Sequence, residues 1–196
     1  MRPERDALPL ARIRSDRMTD KRPSRPAAFL DRDGVINVDH GYTYRREHLL
    51  FTRTAIDGIR LLNQSGYPVL VVTNQSGVAR GLYGVADVTA FHAHMNAMLA
   101  EHGAHIDDFY YCPFHPDGTV AEFAIEHDDR KPGTGMIRRA MRDWNVSAEG
   151  SFLIGDKPSD AGAAAAAGIR SLLITPNEGD LAAAVRHMLA RQSDIG

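Results

Sequence analysis

The chain has 196 residues, 43% of them hydrophobic, which suits one compact domain with a sizeable core. A formal net charge of −2 gives no general attraction for nucleic acid or acidic partners, and the single cysteine, Cys112, excludes an internal disulfide and fits a reducing compartment. No apolar run approaches the roughly 20 residues that span a bilayer, and no apolar h-region follows the Arg-rich N-terminus, so a soluble, cytoplasmic protein is expected.

Residues 1–26 are polar, rich in arginine and broken by Pro3, Pro9, Pro23 and Pro26; they read as a flexible basic arm ahead of a domain over 27–192. Ala27 to Leu30 is a short apolar strand that ends on Asp31, with Asp33 two residues later. Side chains in a strand repeat every two residues, so the pair can point to one side where the strand runs out. Two carboxylates that close repel each other, and each is costly to desolvate unless a cation or proton is shared. The polar stretch from Asp39 through about Thr52 is long for a strand-to-helix connection, and such loops in compact domains are often functional.

Ala55, Ile56, Ile59, Leu61 and Leu62 have helical spacing, and Gly66 is placed as a left-handed stop. Pro68 to Thr73 is apolar and β-branched, the pattern of a strand covered on both faces, and it leads into the polar turn Asn74-Gln75-Ser76-Gly77. A second helix is expected from Val85 to His102, a third strand from Ile106 to Cys112, and a helix from Met136 to Trp144. The segment 113–133 between them has no clear period and carries His115 and His127. Ser151 to Asp156 repeats the opening theme of an apolar strand ending on a carboxylate. Ala161 to Ala167 then reads as a tightly packed helix stopped by Gly168, Arg170 to Thr175 as a fifth strand, and Asp180 to Arg191 as a final helix. The alternation predicts an α/β fold: a three-layer, Rossmann-like, doubly wound parallel sheet. Alternation alone names no activity, because receiver and flavin-binding folds share it.

In such sheets the ligand sits at the carboxyl ends of the strands. Asp31, Asp33, Thr73, Asn74 and Asp156 all fall there, and Lys131 precedes a helix. Their chemistry is complementary. Asp31 and Asp156 supply carboxylates for Mg²⁺, which makes attack by a carboxylate on a phosphate feasible. Asp33 is placed to protonate a leaving oxygen and later deprotonate water, while Thr73 and Lys131 stabilise phosphoryl oxygens. Each residue also has a plainer reading: a turn aspartate, a strand end, a solvated lysine, or a helix cap at Asp156. What favours the functional reading is that all fall on one edge of the expected sheet.

The motifs Asp31-x-Asp33-Gly34, Thr73-Asn74, Lys131-Pro132 and Gly155-Asp156-x-x-x-Asp160, in that order from Phe29 to Ile174, resemble those of the haloacid dehalogenase superfamily of phosphatases. Phe29 to Asn37, Val72 to Gly81 and Arg130-Lys131-Pro132 are similar to a narrower group, the heptose-1,7-bisphosphate 7-phosphatases with their histidinol-phosphate phosphatase relatives. The resemblance implies Asp31 as nucleophile and Asp33 as acid/base. It implies Mg²⁺ on Asp31, Asp156 and the backbone carbonyl of Asp33, and phosphoryl contacts from Thr73 and Lys131. Substrate contacts are implied for Asp39, His40, Gly41 and Tyr42, for Thr73, Asn74, Gln75 and Ser76, and for Arg130 and Lys131. Asp160 is implied to orient Lys131 or the metal's waters. The expectation is a small phosphorylated sugar as substrate, no nucleic acid or membrane partner, a monomer, and no large cap domain. Other readings left open are another small-metabolite phosphatase, such as one for histidinol phosphate, and a non-catalytic phospho-accepting or sugar-phosphate-binding domain.

The group commonly holds a structural zinc through Cys-x-His and Cys-x-Cys. Here Cys112 keeps its place, while Phe114, His127 and Asp129 stand at the other three positions. Cys112, His115, His127 and Asp129 include zinc-compatible ligand types, but a phenylalanine at a ligand position argues against the metal. The loop is instead expected to be held by packing of Phe114 and Phe123 and by hydrogen bonds.

Overall fold

The computed structural model describes residues 24–191. The basic arm therefore lies outside the described residues as far as residue 23; Arg25 is already fixed, donating its N–H to Asn145 and accepting from Ser147. Five parallel strands form one sheet: β1 Ala28–Leu30, β2 Val69–Asn74, β3 Asp108–Cys112, β4 Phe152–Gly155 and β5 Arg170–Leu173. Their order across the sheet is β3-β2-β1-β4-β5. Five helices connect and close them: α1 Ala55–Gln64, α2 Val85–Ala100, α3 Gly135–Trp144, α4 Pro158–Ala166 and α5 Leu181–Ala190.

The period of two along each strand builds two cores. Ala28 and Leu30 of β1, Val69 and Val71 of β2, and Phe152 and Ile154 of β4 pack against Ile59 and Leu62 of α1, Phe91 and Met95 of α2, and Leu181 and Val185 of α5. The alternate residues Phe29, Leu70, Val72 and Leu153 face Met136, Ile137 and Ala140 of α3 and Ala163 and Ala164 of α4. β1, β4 and the first four residues of β2 carry no polar side chain because both faces are covered.

The chain winds outward from β1 through β2 to β3, then returns to place β4 on the other side of β1. The resulting crevice lies at the carboxyl ends of β1 and β4, where Asp31 N donates to the Ile154 carbonyl at 2.9 Å. The connection from β1 to α1 folds back on itself: Thr52 N donates to Ile36 O, Thr52 Oγ1 donates to Val35 O, and Arg46–His48 forms a single 3₁₀ turn. Among the described residues, no helix is long and apolar enough to cross a membrane.

Several boundaries differ from the sequence expectation for identifiable reasons. The third strand begins at Asp108 because the Asn96 side chain claims Ile106, accepting from its N–H at 2.8 Å and donating to its carbonyl at 3.1 Å. The fourth helix begins at Pro158, ahead of the alanine tract, because Asp160 Oδ2 accepts from Lys157 N at 3.0 Å and Pro158 needs no N–H partner there. Gly66 and Gly168 take the left-handed conformation expected of them.

Candidate active site

The buried centre of the site is built on Asp31. Its Oδ1 accepts from the Arg32 N–H at 2.7 Å and lies 2.9 Å from Lys131 Nζ. Lys131 Nζ also reaches Asp160 Oδ1 at 2.5 Å and donates to the Val72 carbonyl at 2.7 Å. Burial opposes the charge on Lys131, yet Asp31 and Asp160 together outweigh it and hold the ammonium's pKa above its ordinary value. Asp31 goes the other way. Burial pushes it up to about 7 despite Lys131, and Asp160 and Asp33 add to the rise.

Asp156 stands beside this cluster with both carboxylate oxygens buried and without a hydrogen-bond partner. Burial raises its pKa as well. Among the described residues, Asp31, Asp156 and Asp160 are the group whose ligand oxygens lie within 4.8 Å of one another. Asp160 is spent on Lys131 and on the backbone N–H groups of Asp156 and Lys157, so Asp31 and Asp156 are the carboxylates left to a metal. Two clustered hard oxygen donors, one of them without a hydrogen bond, fit a small divalent cation such as Mg²⁺. Gly34, at φ 86°, presses its backbone on Asp156, and a β-carbon there would collide with Oδ2.

Asp33 is held by a different set of groups. β1 stops at Leu30, so Asp33 does not continue the strand. The chain then turns, with Ile36 N donating to Arg32 O at 2.8 Å and Gly34 N to Asn37 O at 2.8 Å. Arg32, fully buried, forks onto Asp33: Nη2 lies 2.9 Å from Oδ1 and 2.8 Å from Oδ2, and Nε 3.2 Å from Oδ1. Asn37 Nδ2 adds a bond to Oδ1 at 3.0 Å and Gln75 Nε2 one to Oδ2 at 2.9 Å.

Thr73, the penultimate residue of β2, stands beside this pair. Its Oγ1 accepts from Gln75 Nε2 at 2.9 Å, which leaves the hydroxyl proton available to a phosphoryl oxygen. Gln75 is in turn fixed by Tyr83, whose hydroxyl donates to Oε1 at 2.8 Å. Gly77 makes room for that ring, and burial pushes the Tyr83 phenol up to about 12. Asn74 turns its amide on Lys131, donating to its carbonyl at 3.1 Å and accepting from its N–H at 3.0 Å. Gln75 and Asn74 thus position Asp33, Thr73 and Lys131. Ser76 begins the following turn, its carbonyl accepting from Arg80 N.

The rim is the turn 39–43. Asp39 Oδ1 accepts from Gly41 N at 2.8 Å, His40 N donates to Thr43 Oγ1 at 3.2 Å, and Tyr42 stands exposed in a left-handed conformation. Asn177 fastens the turn from the far side of the crevice, its Oδ1 accepting from Asp39 N at 2.7 Å. Lys157 Nζ lies 3.5 Å from Asp39 Oδ2 and 3.9 Å from Asp156 Oδ2, linking the rim to the carboxylate centre. Arg130 keeps a buried Nη1 without a partner. His115 meets Arg80 at 3.3 Å, and burial, then the charges of Arg130 and Arg80, lower its pKa.

Sequence reasoning does not single out Arg32, His92, Tyr83, Lys157 or Asn177. Arg32 and Lys157 had one available signal, adjacency to Asp31 and Asp156. The others arrive through long-range packing.

At the loop 112–130, the Phe114 ring stacks on His127 at 4.2 Å and tilts against Phe123 at 5.8 Å. Asp129 is forked by Arg139 Nη1 at 2.8 and 3.0 Å, His127 Nδ1 accepts from Asp129 N, and Cys112 Sγ points at the Phe114 carbonyl. Burial raises the thiol's pKa to about 11. These ring contacts and hydrogen bonds hold the loop among the described residues.

A family model described as HAD-hydrolase-like matches residues 129–192. A D-glycero-beta-D-manno-heptose-1,7-bisphosphate 7-phosphatase of Rhodopseudomonas palustris is 49% identical over 152 residues, covering 78% of this chain and 84% of that protein. One of Yersinia pestis is 43% identical over 144 residues, covering 74% and 77%. The crystal structure of the D,D-heptose 1,7-bisphosphate phosphatase from B. bronchiseptica, complexed with magnesium and phosphate, has a TM-score of 0.74 and 33% identity, covering 85% of this chain and 99% of that one. The chain belongs to the haloacid dehalogenase-like hydrolases, in the family of the heptose-1,7-bisphosphate 7-phosphatases.

Proposed function

We propose that this protein is a Mg²⁺-dependent phosphomonoester hydrolase that removes the 7-phosphate of D-glycero-β-D-manno-heptose 1,7-bisphosphate. The observation that carries the reading is the buried pair Asp31 and Asp156 at the switch point of the sheet, with both oxygens of Asp156 unpartnered. Asp31, Asp156 and the Asp33 carbonyl would hold Mg²⁺, which when bound offsets the negative charge shared by nucleophile and phosphate.

Asp31 Oδ1 is occupied by Lys131 and the Arg32 N–H, so the other oxygen attacks phosphorus. As the bond to the sugar oxygen breaks, Asp33 gives that oxygen a proton and an aspartyl-phosphate forms on Asp31. Asp33, now a carboxylate, takes a proton from water as the water attacks phosphorus, which releases phosphate and restores Asp31. Thr73 donates to an equatorial oxygen, while the Lys131 ammonium, its three N–H groups directed at Asp31, Asp160 and Val72, offsets the developing phosphoryl charge electrostatically. The turn 39–42 and Ser76 line the sugar's approach, and Arg130, with its free guanidinium nitrogen, takes the second phosphate of the bisphosphate. The reading includes a loop 112–130 that folds without zinc.

The test is steady-state turnover of the heptose bisphosphate by Asp31→Asn and Arg130→Ala. Asp31→Asn is expected to abolish turnover, and unchanged turnover would sink the mechanism. Arg130→Ala is expected to raise KM for the bisphosphate by about tenfold, the order of one lost charge-assisted contact, while leaving a heptose monophosphate nearly unaffected. An equal effect on both substrates removes Arg130 from recognition of the second phosphate.

A further inference from the structure

Between the nucleophile and the acid/base lies a residue whose whole environment is organised toward one of them. Arg32 is fully buried, although an isolated guanidinium is among the costliest groups to desolvate. Its contacts point in three directions. One edge forks onto Asp33 through Nη2 and Nε. Nη2 also donates to the Thr43 carbonyl at 2.7 Å, so the same nitrogen grips the rim turn. Nη1 meets His92 Nε2 at 3.1 Å, and the plane of the guanidinium lies over Phe91 at 4.7 Å.

Arginine has donors and no acceptor, so Nε2 of His92 must present its lone pair and the ring proton must sit on Nδ1. Burial, then the Arg32 charge, drives the His92 pKa down to about 2, which keeps the ring a neutral acceptor. Stacking on Phe109 at 4.3 Å and an edge contact with Tyr111 fix the ring's orientation. Such a chain — rigid acceptor, flat cation, carboxylate — leaves Asp33 little rotational freedom. The Asp33 side chain is nonetheless 15% exposed against 5% for Asp31, so it faces the crevice from which substrate must come.

Resting on the reading of Asp33 as acid/base, we infer that Arg32, oriented by His92, is a positioning residue that fixes the Asp33 carboxylate for proton transfer and locks it to the substrate rim through Thr43. The Arg32 guanidinium acts through the Asp33 carboxylate rather than on the substrate itself. A cation placed only to stabilise the fold would support both chemical half-reactions and all leaving groups alike. A positioning role instead makes its loss matter most where the leaving oxygen needs a proton.

The test uses that difference. The second-order constant kcat/KM reports the first irreversible step, the departure of the leaving group. A sugar alkoxide departs poorly without protonation, whereas p-nitrophenolate departs unaided. Arg32→Gln is expected to lower kcat/KM for the heptose bisphosphate by about 100-fold, the order of a lost general acid, and for p-nitrophenyl phosphate by less than about tenfold. His92→Phe, which keeps the stack and loses the acceptor, is expected to show the same asymmetry at about a tenth of the size, and His92→Gln, whose amide oxygen restores an acceptor, to recover it.

Equal losses on both substrates, or no loss, overturn the inference. If Arg32→Gln does not fold, the His92 pair decides: asymmetry in the phenylalanine variant that glutamine relieves supports it, and its absence overturns it. Asp33→Asn measured in parallel separates the two levels. Asymmetry there and none at Arg32 defeats the positioning role alone. No asymmetry at Asp33 defeats the acid/base assignment beneath it.

Discussion

The carboxylates of Asp31 and Asp33 are two residues apart and are neutralised by opposite means. Around Asp31, three carboxylates crowd one buried ammonium, with Lys157 at the edge, so negative charge is in excess and Asp156 is left unpartnered. Around Asp33, a complete fork of donors from Arg32, Asn37 and Gln75 surrounds one carboxylate. The first arrangement leaves negative charge for a cation to offset; the second is satisfied as it stands. A centre that must accept metal and phosphate needs that imbalance. A group that shuttles a proton needs a fixed direction more than an open valence.

The comparison can be broken from either side, and the largest effect falls on the Asp31 side. Lys131→Met removes the buried cation from two carboxylates, and denaturant unfolding is expected to show a loss of about 3–5 kcal/mol, the cost of stranding a buried charge. A loss under about 1 kcal/mol would mean that the cluster is solvated, and the contrast with Asp33 would collapse. Asp156→Asn should act in the opposite sense without metal, leaving the protein as stable as its parent or more so. With Mg²⁺ at 100 times its dissociation constant, the parent should gain about 2.7 kcal/mol and the variant little of it, which thermal unfolding with and without the ion measures.

The smallest effect is on the Asp33 side and depends on pH. The folded-state pKa of His92 is depressed to about 2 from an unfolded value of 6.5, so its contribution is fully present above pH 6.5. Below that pH the unfolded chain binds a proton that the native ring refuses. Stability therefore falls by up to about 1.4 kcal/mol per pH unit, or about 2 kcal/mol by pH 5. Relative to the parent, His92→Gln should flatten the decline between pH 6.5 and 5; parallel curves would show that His92 protonates freely in the fold.

What could be read from the sequence was whatever depends on local pattern. Apolar runs ending in Asp31, Thr73 and Asp156 placed these residues at strand ends, because burial on both faces leaves few other readings for such runs. Asp160 and Lys131 were legible as motif members, and they meet as an ion pair. The period-two argument carries no further than the strand end, and the turn at Arg32 that sets the direction of Asp33 depends on contacts outside that pattern. Arg32, His92 and Asn177 were not legible for a different reason. A buried arginine is explained only by its partners, and these come from the turn 39–43 and from α2, some sixty residues further along the chain. Asn74 and Gln75 were assigned by resemblance to substrate, but their amides are occupied by Lys131, Thr73 and Asp33, which no spacing rule announces.

The central position of β1 has a consequence for how the protein is made. Its register joins Leu30 to Val71 on one side and to Ile154 on the other, so the first strand to leave the ribosome waits for one of the last. Until β4 emerges, a wholly apolar three-residue strand has an unpaired edge beside β2, and Asp31 lacks the neighbour with which it would bind a metal. A nascent or truncated chain therefore exposes a sticky edge and lacks its catalytic centre together. Coverage of the second edge of β1 and assembly of the carboxylate cluster arrive in the same step of synthesis.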